Sequence, residues 1–231
     1  MKDSSLVHDV DLVSDQLKNR MKADGRIIVG IAGPPASGKS ILAESVVQEL
    51  NKDCSTKWPT AVLLPMDGYH LDNRLLESRG LLLCKGAPET FDAHGFCSAV
   101  SQLRFEKRET FYPIFDRQMD LAIANAISIH PKTPVIVVEG NYLLLKSGVW
   151  SSLRDFFTTT VFICPSMDDL RDRLNQRWIR NGLDPQAAAL RTDGNDMPNA
   201  ELVLRKSHEA DLYLNQNTLR SASAKWTETP F

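Results

Sequence analysis

The sequence predicts an α/β protein built on a doubly wound parallel sheet. Three observations predict it. Short apolar, β-branched runs occur at 26–32 (RIIVGIA) and 135–140 (VIVVEG); amphipathic helical stretches lie between such runs; and a glycine or an acid stands where each run ends. Strands buried on both faces read as continuous apolar runs, and helical crossovers between them build a parallel sheet.

The elements follow in order. Leu6, Val10, Val13, Leu17 and Met21 recur at helical spacing, so an amphipathic helix is expected over 4–23, stopped by Gly25. The strand 26–32 leads into a helix whose apolar stripe reads Ile41, Leu42, Val46 and Leu50. A second strand spans 60–66 and ends at Asp67. Helices are expected over 93–107, capped by Thr90 or Asp92, and over 117–127. Further strands fall at 135–140, 160–164 and 211–214, and a long helix between the last two carries Leu170, Leu174 and Trp178 on one face. Ligands of such sheets sit beyond the carboxyl ends of the strands. Gly33, Asp67 and Glu139 each fall at such an end.

The bulk properties narrow the classes. The 231 residues are 42% hydrophobic and 24% charged, enough to fill one sizeable core. A formal net charge of −2 gives no basic surface for nucleic acid or an anionic membrane. Cys54, Cys84, Cys97 and Cys164 are scattered without metal-ligand spacing and read as reduced thiols, so a cytoplasmic protein is expected. No apolar run approaches a membrane span, and the N-terminus has no apolar h-region.

The chemistry is concentrated in Gly33-Pro34-Pro35-Ala36-Ser37-Gly38-Lys39-Ser40, followed by Ile41, which fits the phosphate-loop pattern without a mismatch. Its glycines let backbone N–H groups wrap phosphates, and the helix N-terminus adds partial positive charge. Lys39 is expected to reach the β- and γ-phosphates of ATP, and Ser40 to place its hydroxyl on Mg2+. Asp67, just past strand two, stands where a base for an acceptor hydroxyl would stand; a plain D-G turn gives the same pattern. Glu139 ends a run shaped like a Walker B strand, where it could hold Mg2+, orient the acceptor or cap a loop. Arg173, Arg177 and Arg180 mark one helix edge, either a clamp for a transferring phosphoryl group or a solvated basic face. No guanine clamp is in register, because Asn51-Lys52-Asp53 has its Asp one place early, and no transporter-ATPase signature occurs.

The order GPPASGKS, MDGYH, KGAPETFD (85–92), YPIFDR (112–117) and VVEGNYLLL resembles the phosphoribulokinase/uridine kinase/bacterial pantothenate kinase superfamily over about 26–215. Within it, the chain is most similar to the fructose-transport-system kinase-like branch, which includes fungal proteins called "putative uridine kinase". The resemblance implies the P-loop nucleoside triphosphate hydrolase fold with helical lid and substrate-binding insertions. It implies Asp67 as proton acceptor, Glu139 near Mg2+ and acceptor, and Arg173 and Arg177 in the lid. Acceptor-side candidates are Tyr69, His70, Lys85, Glu89 and Arg117. Arg117 and Asp116 suggest a polar, hydroxylated acceptor bearing an acidic group. Uridine kinases continue their Y-D segment with an aromatic and a His, whereas this chain reads Phe115 to Asp120 as FDRQMD.

The expected activity is ATP-dependent phosphorylation of a hydroxyl on a small metabolite, be it a sugar, nucleoside or pantothenate-like compound. Uridine or cytidine phosphorylation in particular, and a regulatory nucleotide binder, are the alternatives. The expected layout is an N-terminal helix (1–25), a kinase core (26–215) with an acceptor-side insertion at about 68–130 and a lid at about 168–200, and a tail (216–231). The partners expected are a small-molecule acceptor and, if the chain self-associates, a second copy in a homodimer; nucleic acid and membrane are not expected.

Overall fold

The computed structural model describes residues 4–21 and 25–214. In chain order they form α1 (Ser4–Arg20), β1 (Ile27–Ala32), α2 (Lys39–Asn51), β2 (Ala61–Pro65), α3 (Asn73–Ser78), α4 (Ala93–Gln102), β3 (Thr110–Asp116), β4 (Leu121–Ile129) and β5 (Val135–Gly140). Then come β6 (Thr159–Ile163), α5 (Met167–Arg180), α6 (Pro185–Arg191), α7 (Met197–Lys206) and β7 (Leu212–Leu214), with short 3-10 turns between several of these. The tail expected over 216–231 lies outside the described residues, as does the end of the first helix beyond Met21.

The main sheet is parallel throughout, in the order β2-β5-β1-β6-β7. Its side chains alternate between two cores. Ile27, Val29, Ile31, Val135 and Val137 join α1 and α2, with Leu17, Leu42 and Val46, on one face. Ile28, Leu64, Ile136 and Val138 join α4 and the turns around Trp150 and Leu153 on the other. With both faces covered, strands of nearly uninterrupted apolar residues are what burial requires. Ile41 departs from the expected stripe: it is 58% exposed, while Leu42, Val46 and Leu50 are buried.

Caps set the helix starts. The Asp92 side chain accepts from the Gly95 N–H and begins α4, so Asp92 is the cap; the Thr90 hydroxyl is spent on Ala87 O and Gly86 N. The helix ends at Gln102, short of the expected 107. Ser166 and Asp184 cap α5 and α6 in the same way.

The helix expected over 117–127 does not form. Those residues belong to the turn and second strand of an antiparallel hairpin, β3 with β4, so the acceptor-side insertion is only partly helical. Its register shifts around Asn125, whose φ is +58°. Ile123, Ile127 and Ile129 stand at even spacing, as on one face of a strand, and are the more buried side chains of β4. The hairpin lies against the turn after β2. A Cβ on Gly68 would stand 2.4 Å from the Pro113 carbonyl oxygen, so only glycine permits that approach.

Candidate active site

Three strand ends build the site. In register, Glu139 on β5 lies opposite both Ile31 on β1 and Pro65 on β2. The loop 33–38 leaves β1 on one side, and Met66-Asp67 leaves β2 on the other. The sheet order alone therefore sets Glu139 between Lys39 and Asp67.

The loop is shaped as its glycines require. Gly38 sits at φ +96°, a left-handed conformation that favours glycine, and leads directly into α2. Ser37 is buried, and among the described residues its hydroxyl has no hydrogen-bond partner. Lys39 begins the helix, so the N–H groups of its first turn face the loop, the arrangement that binds anions. Pro34, Pro35 and Ala36 complete the wrap, with Ser37 N donating to Pro34 O at 3.1 Å. The Ile41 side chain is exposed and apolar, so of that residue only the backbone can serve a phosphate.

Lys39 Nζ stands 3.4 Å from Glu139 Oε1, both nearly buried. Burial pushes the Glu139 carboxyl above its usual range; Lys39 pulls it back, the Asp67 charge adds to the rise, and a hydrogen bond with Ser40 lowers it. Ser40 and Glu139 thus share one place, an oxygen pair suited to Mg2+, which keeps few protein ligands and takes the rest from phosphate and water.

Asp67 behaves in the opposite sense. Burial would raise its carboxyl, but Arg117, His70 and Lys39 outweigh burial and hold it below the ordinary value. Arg117 Nη2 donates to Asp67 Oδ2 at 2.6 Å. The His70 ring, packed on Phe91 and Phe115, has Nδ1 2.7 Å from the Asp67 carbonyl oxygen. A carbonyl only accepts, so Nδ1 carries the proton and Nε2 is left as an acceptor. Burial lowers the His70 pKa, offset in part by Asp67.

From α5, Arg173 Nη1 reaches the Ala36 and Ser37 carbonyls at 3.4 Å each. Arg177 lies one turn on, half-buried over the Trp178 ring and 3.9 Å from Asp196. Among the described residues, Arg180 bonds only the Gln176 carbonyl of its own helix, and it is exposed.

The remaining candidates stand apart. Tyr69 packs edge-on against Phe96 in the core. Lys85 is spent on the hairpin tip, donating to Asp120 Oδ1 at 2.8 Å and Asn73 Oδ1 at 2.6 Å. Glu89 is exposed and lines a neighbouring groove with Pro88, Leu145 and Trp150. Asp116 accepts from the Gln118 and Met119 N–H groups and shapes the turn. The sequence reading missed the support of the lid. Asp196, in a π-turn at 192–196, accepts from Trp178 Nε1 at 2.6 Å and faces Arg177. No spacing rule marks that residue, because the π-turn that aims it has no sequence signature.

A phosphate loop on the central strand of a parallel sheet, with acids at the ends of the next two strands on one side, β5 and then β2, defines a P-loop nucleotide-binding protein. Comparison with known proteins narrows this. No protein-family model matches the chain. A Schizosaccharomyces pombe protein named "putative uridine kinase" is 30% identical, over 90% of this chain and 92% of its own length. A solved Silicibacter structure, described as a "putative fructose transport system kinase", superposes with a TM-score of 0.80 at 40% identity, covering 88% of this chain and 98% of that one. Pantothenate kinase of Leifsonia xyli is 28% identical over 73% of this chain, which spans 52% of that enzyme. The chain belongs to the P-loop kinase superfamily of uridine kinase-like and pantothenate kinases, and is a phosphotransferase.

Proposed function

We propose that the protein transfers the γ-phosphoryl group of ATP to a hydroxyl of a small metabolite, of the sugar, nucleoside or pantothenate-like kind. The observation that supports this most is Asp67: a largely buried carboxylate at the end of β2, beside Lys39 and Glu139, whose pKa is held below its ordinary value by Arg117 of the hairpin, His70 and Lys39. A binder that only senses nucleotide does not need a charged base there.

The loop amides and Lys39 would cradle the β- and γ-phosphates. Ser40 and Glu139 would hold Mg2+, which supplies neutralisation of phosphate charge when bound. Asp67 orients the acceptor hydroxyl and takes its proton as the oxygen bonds to the γ-phosphorus. The bond from that phosphorus to the β–γ bridging oxygen breaks, and ADP leaves with the electron pair. Arg173, swinging from the loop carbonyls, and Arg177 supply positive charge to the transferring group. Closure of α5 and α6 over the loop keeps water from competing.

The test is a panel of sugars, nucleosides and pantothenate incubated with ATP and Mg2+. Acceptor-dependent ADP release and a mass gain of one phosphate support the reading. ADP release that no acceptor changes sinks it in favour of a regulatory binder.

A further inference from the structure

We infer that Arg117 selects acceptors that carry an anionic group, a carboxylate or a phosphate ester, close to the reacting hydroxyl, and that its pairing with Asp67 is the resting arrangement such an acceptor exchanges. The inference rests on Asp67 being the base of the proposed reaction.

A base must present a free oxygen, and in this structure Asp67 Oδ2 receives Arg117 Nη2 at 2.6 Å. A hydroxyl that docks on that oxygen competes with the guanidinium for it. A neutral acceptor offers the guanidinium nothing in return, so docking gives up a charge-assisted hydrogen bond. An acceptor with its own carboxylate or phosphate replaces one pair by another, and the planar fork of arginine suits either group.

Arg117 is placed to make that exchange. Its side chain is 65% exposed, against 23% for Asp67, and among the described residues its one hydrogen-bond partner is Asp67. The turn that carries it is held independently. Asp116 caps the Gln118 and Met119 N–H groups, while Lys85 and Asn73 anchor Asp120. The side chain can therefore swing while the turn stays.

The nearby acids do not offer an alternative. Glu139 faces Lys39, Asp120 is taken by Lys85 and Asn73, and Asp196 by Trp178 with Arg177. Arg177 adds to the positive side, because it interacts electrostatically with both Asp67 and Arg117 from the lid. Once Asp67 engages a hydroxyl, the exposed Arg117 is left with water or with an anion of the ligand, and the ligand's anion makes the stronger, charge-assisted bond.

The experiment measures binding, not turnover, on the full chain with a non-hydrolysable ATP analogue and Mg2+. Calorimetry compares twins that differ by one anionic group: gluconate with glucose, pantothenate with pantothenol, fructose 6-phosphate with fructose. At least one charged twin should bind roughly ten- to a hundredfold more tightly than its neutral partner, the worth of a hydrogen bond between charged groups. Arg117→Gln should remove that preference, and Arg117→Lys should keep part of it, with melting temperatures checked for all three proteins. The carboxylate pairs and the phosphate pair report which anion is taken. A panel in which no charged twin binds more tightly than its partner overturns the inference, as does an Arg117→Gln variant that weakens both twins alike. Phosphoryl transfer to neutral compounds without charge preference would leave the kinase reading standing and remove this one. Charge-selective binding that Arg117→Gln abolishes, without any transfer, would keep Arg117 as an anion-binding group but remove the kinase reading and, with it, the exchange with a catalytic Asp67.

Discussion

Lys39 Nζ and Glu139 Oε1 lie 3.4 Å apart although a hundred positions separate them in the chain. The contact exists because β1 and β5 are parallel neighbours, with Ile31 in register with Glu139. It ties the loop lysine to the strand that carries the acid, and it keeps that acid from being an unpaired buried charge.

Lys39→Ala should therefore have two effects. Phosphoryl transfer should fall by orders of magnitude, since the charge that follows the γ-phosphate is gone. The Glu139 carboxyl, pushed up by burial and left without its counter-charge, should rise further. Single-turnover kinetics and an NMR titration of the glutamate carboxyls check both. Wild-type transfer in the variant would end the role given to the loop.

Asp67→Asn should bind ATP with Mg2+ within a few-fold of wild type while transfer to an acceptor falls by roughly 10²–10⁴, the usual effect of losing a positioned base. Calorimetry and acceptor mass shift decide between outcomes. A collapse of nucleotide binding would assign Asp67 to the metal, and Glu139 would become the candidate base.

The same carboxylate makes a pH prediction. Its folded pKa is depressed below the ordinary aspartate value, so its stabilisation is complete above that ordinary value and is lost as pH falls through the lower folded one. The difference in melting temperature between wild type and Asp67→Asn should be constant near neutrality and narrow below about pH 4. A difference that grows on acidification would mean that Asp67 is protonated more readily in the fold than in the unfolded chain.

The lid arginines should separate by position. Arg173 touches the loop carbonyls and Arg177 is half-buried toward Asp67, so alanine at either should lower kcat more than it weakens ATP binding. Arg180 is bonded within its own helix, and Arg180→Ala should be kinetically silent. A kcat loss at Arg180 equal to that at Arg173 would contradict this ordering.

Gly68→Ala tests the seat of the hairpin. Its new Cβ would lie 2.4 Å from the Pro113 carbonyl oxygen, a backbone atom that cannot rotate away. The cost should be about 2 kcal/mol or more, read as a melting temperature lower by roughly 4–8 °C. Because the hairpin carries Arg117, acceptor binding should suffer more than ATP binding.

What the sequence determined by itself was local or periodic. The loop 33–40 is contiguous, and its glycines and Lys39 declare their use by spacing alone. β1, β2 and β5 were legible because strands buried on both faces must be apolar, and the acids at 67 and 139 were legible because strand ends are where polarity returns. The tertiary structure decided what depends on distant partners. Residues 121–129 are a strand because they pair with 110–116, and that tertiary pairing overrides the local helix propensity of their alanines. Ile41 is exposed because the rotation of α2 is set by packing on α1 and the sheet, not by its own composition. Arg117 meets Asp67 across fifty positions only once the hairpin is seated on Gly68, and a lone arginine in a turn carries no mark of the acid it will reach.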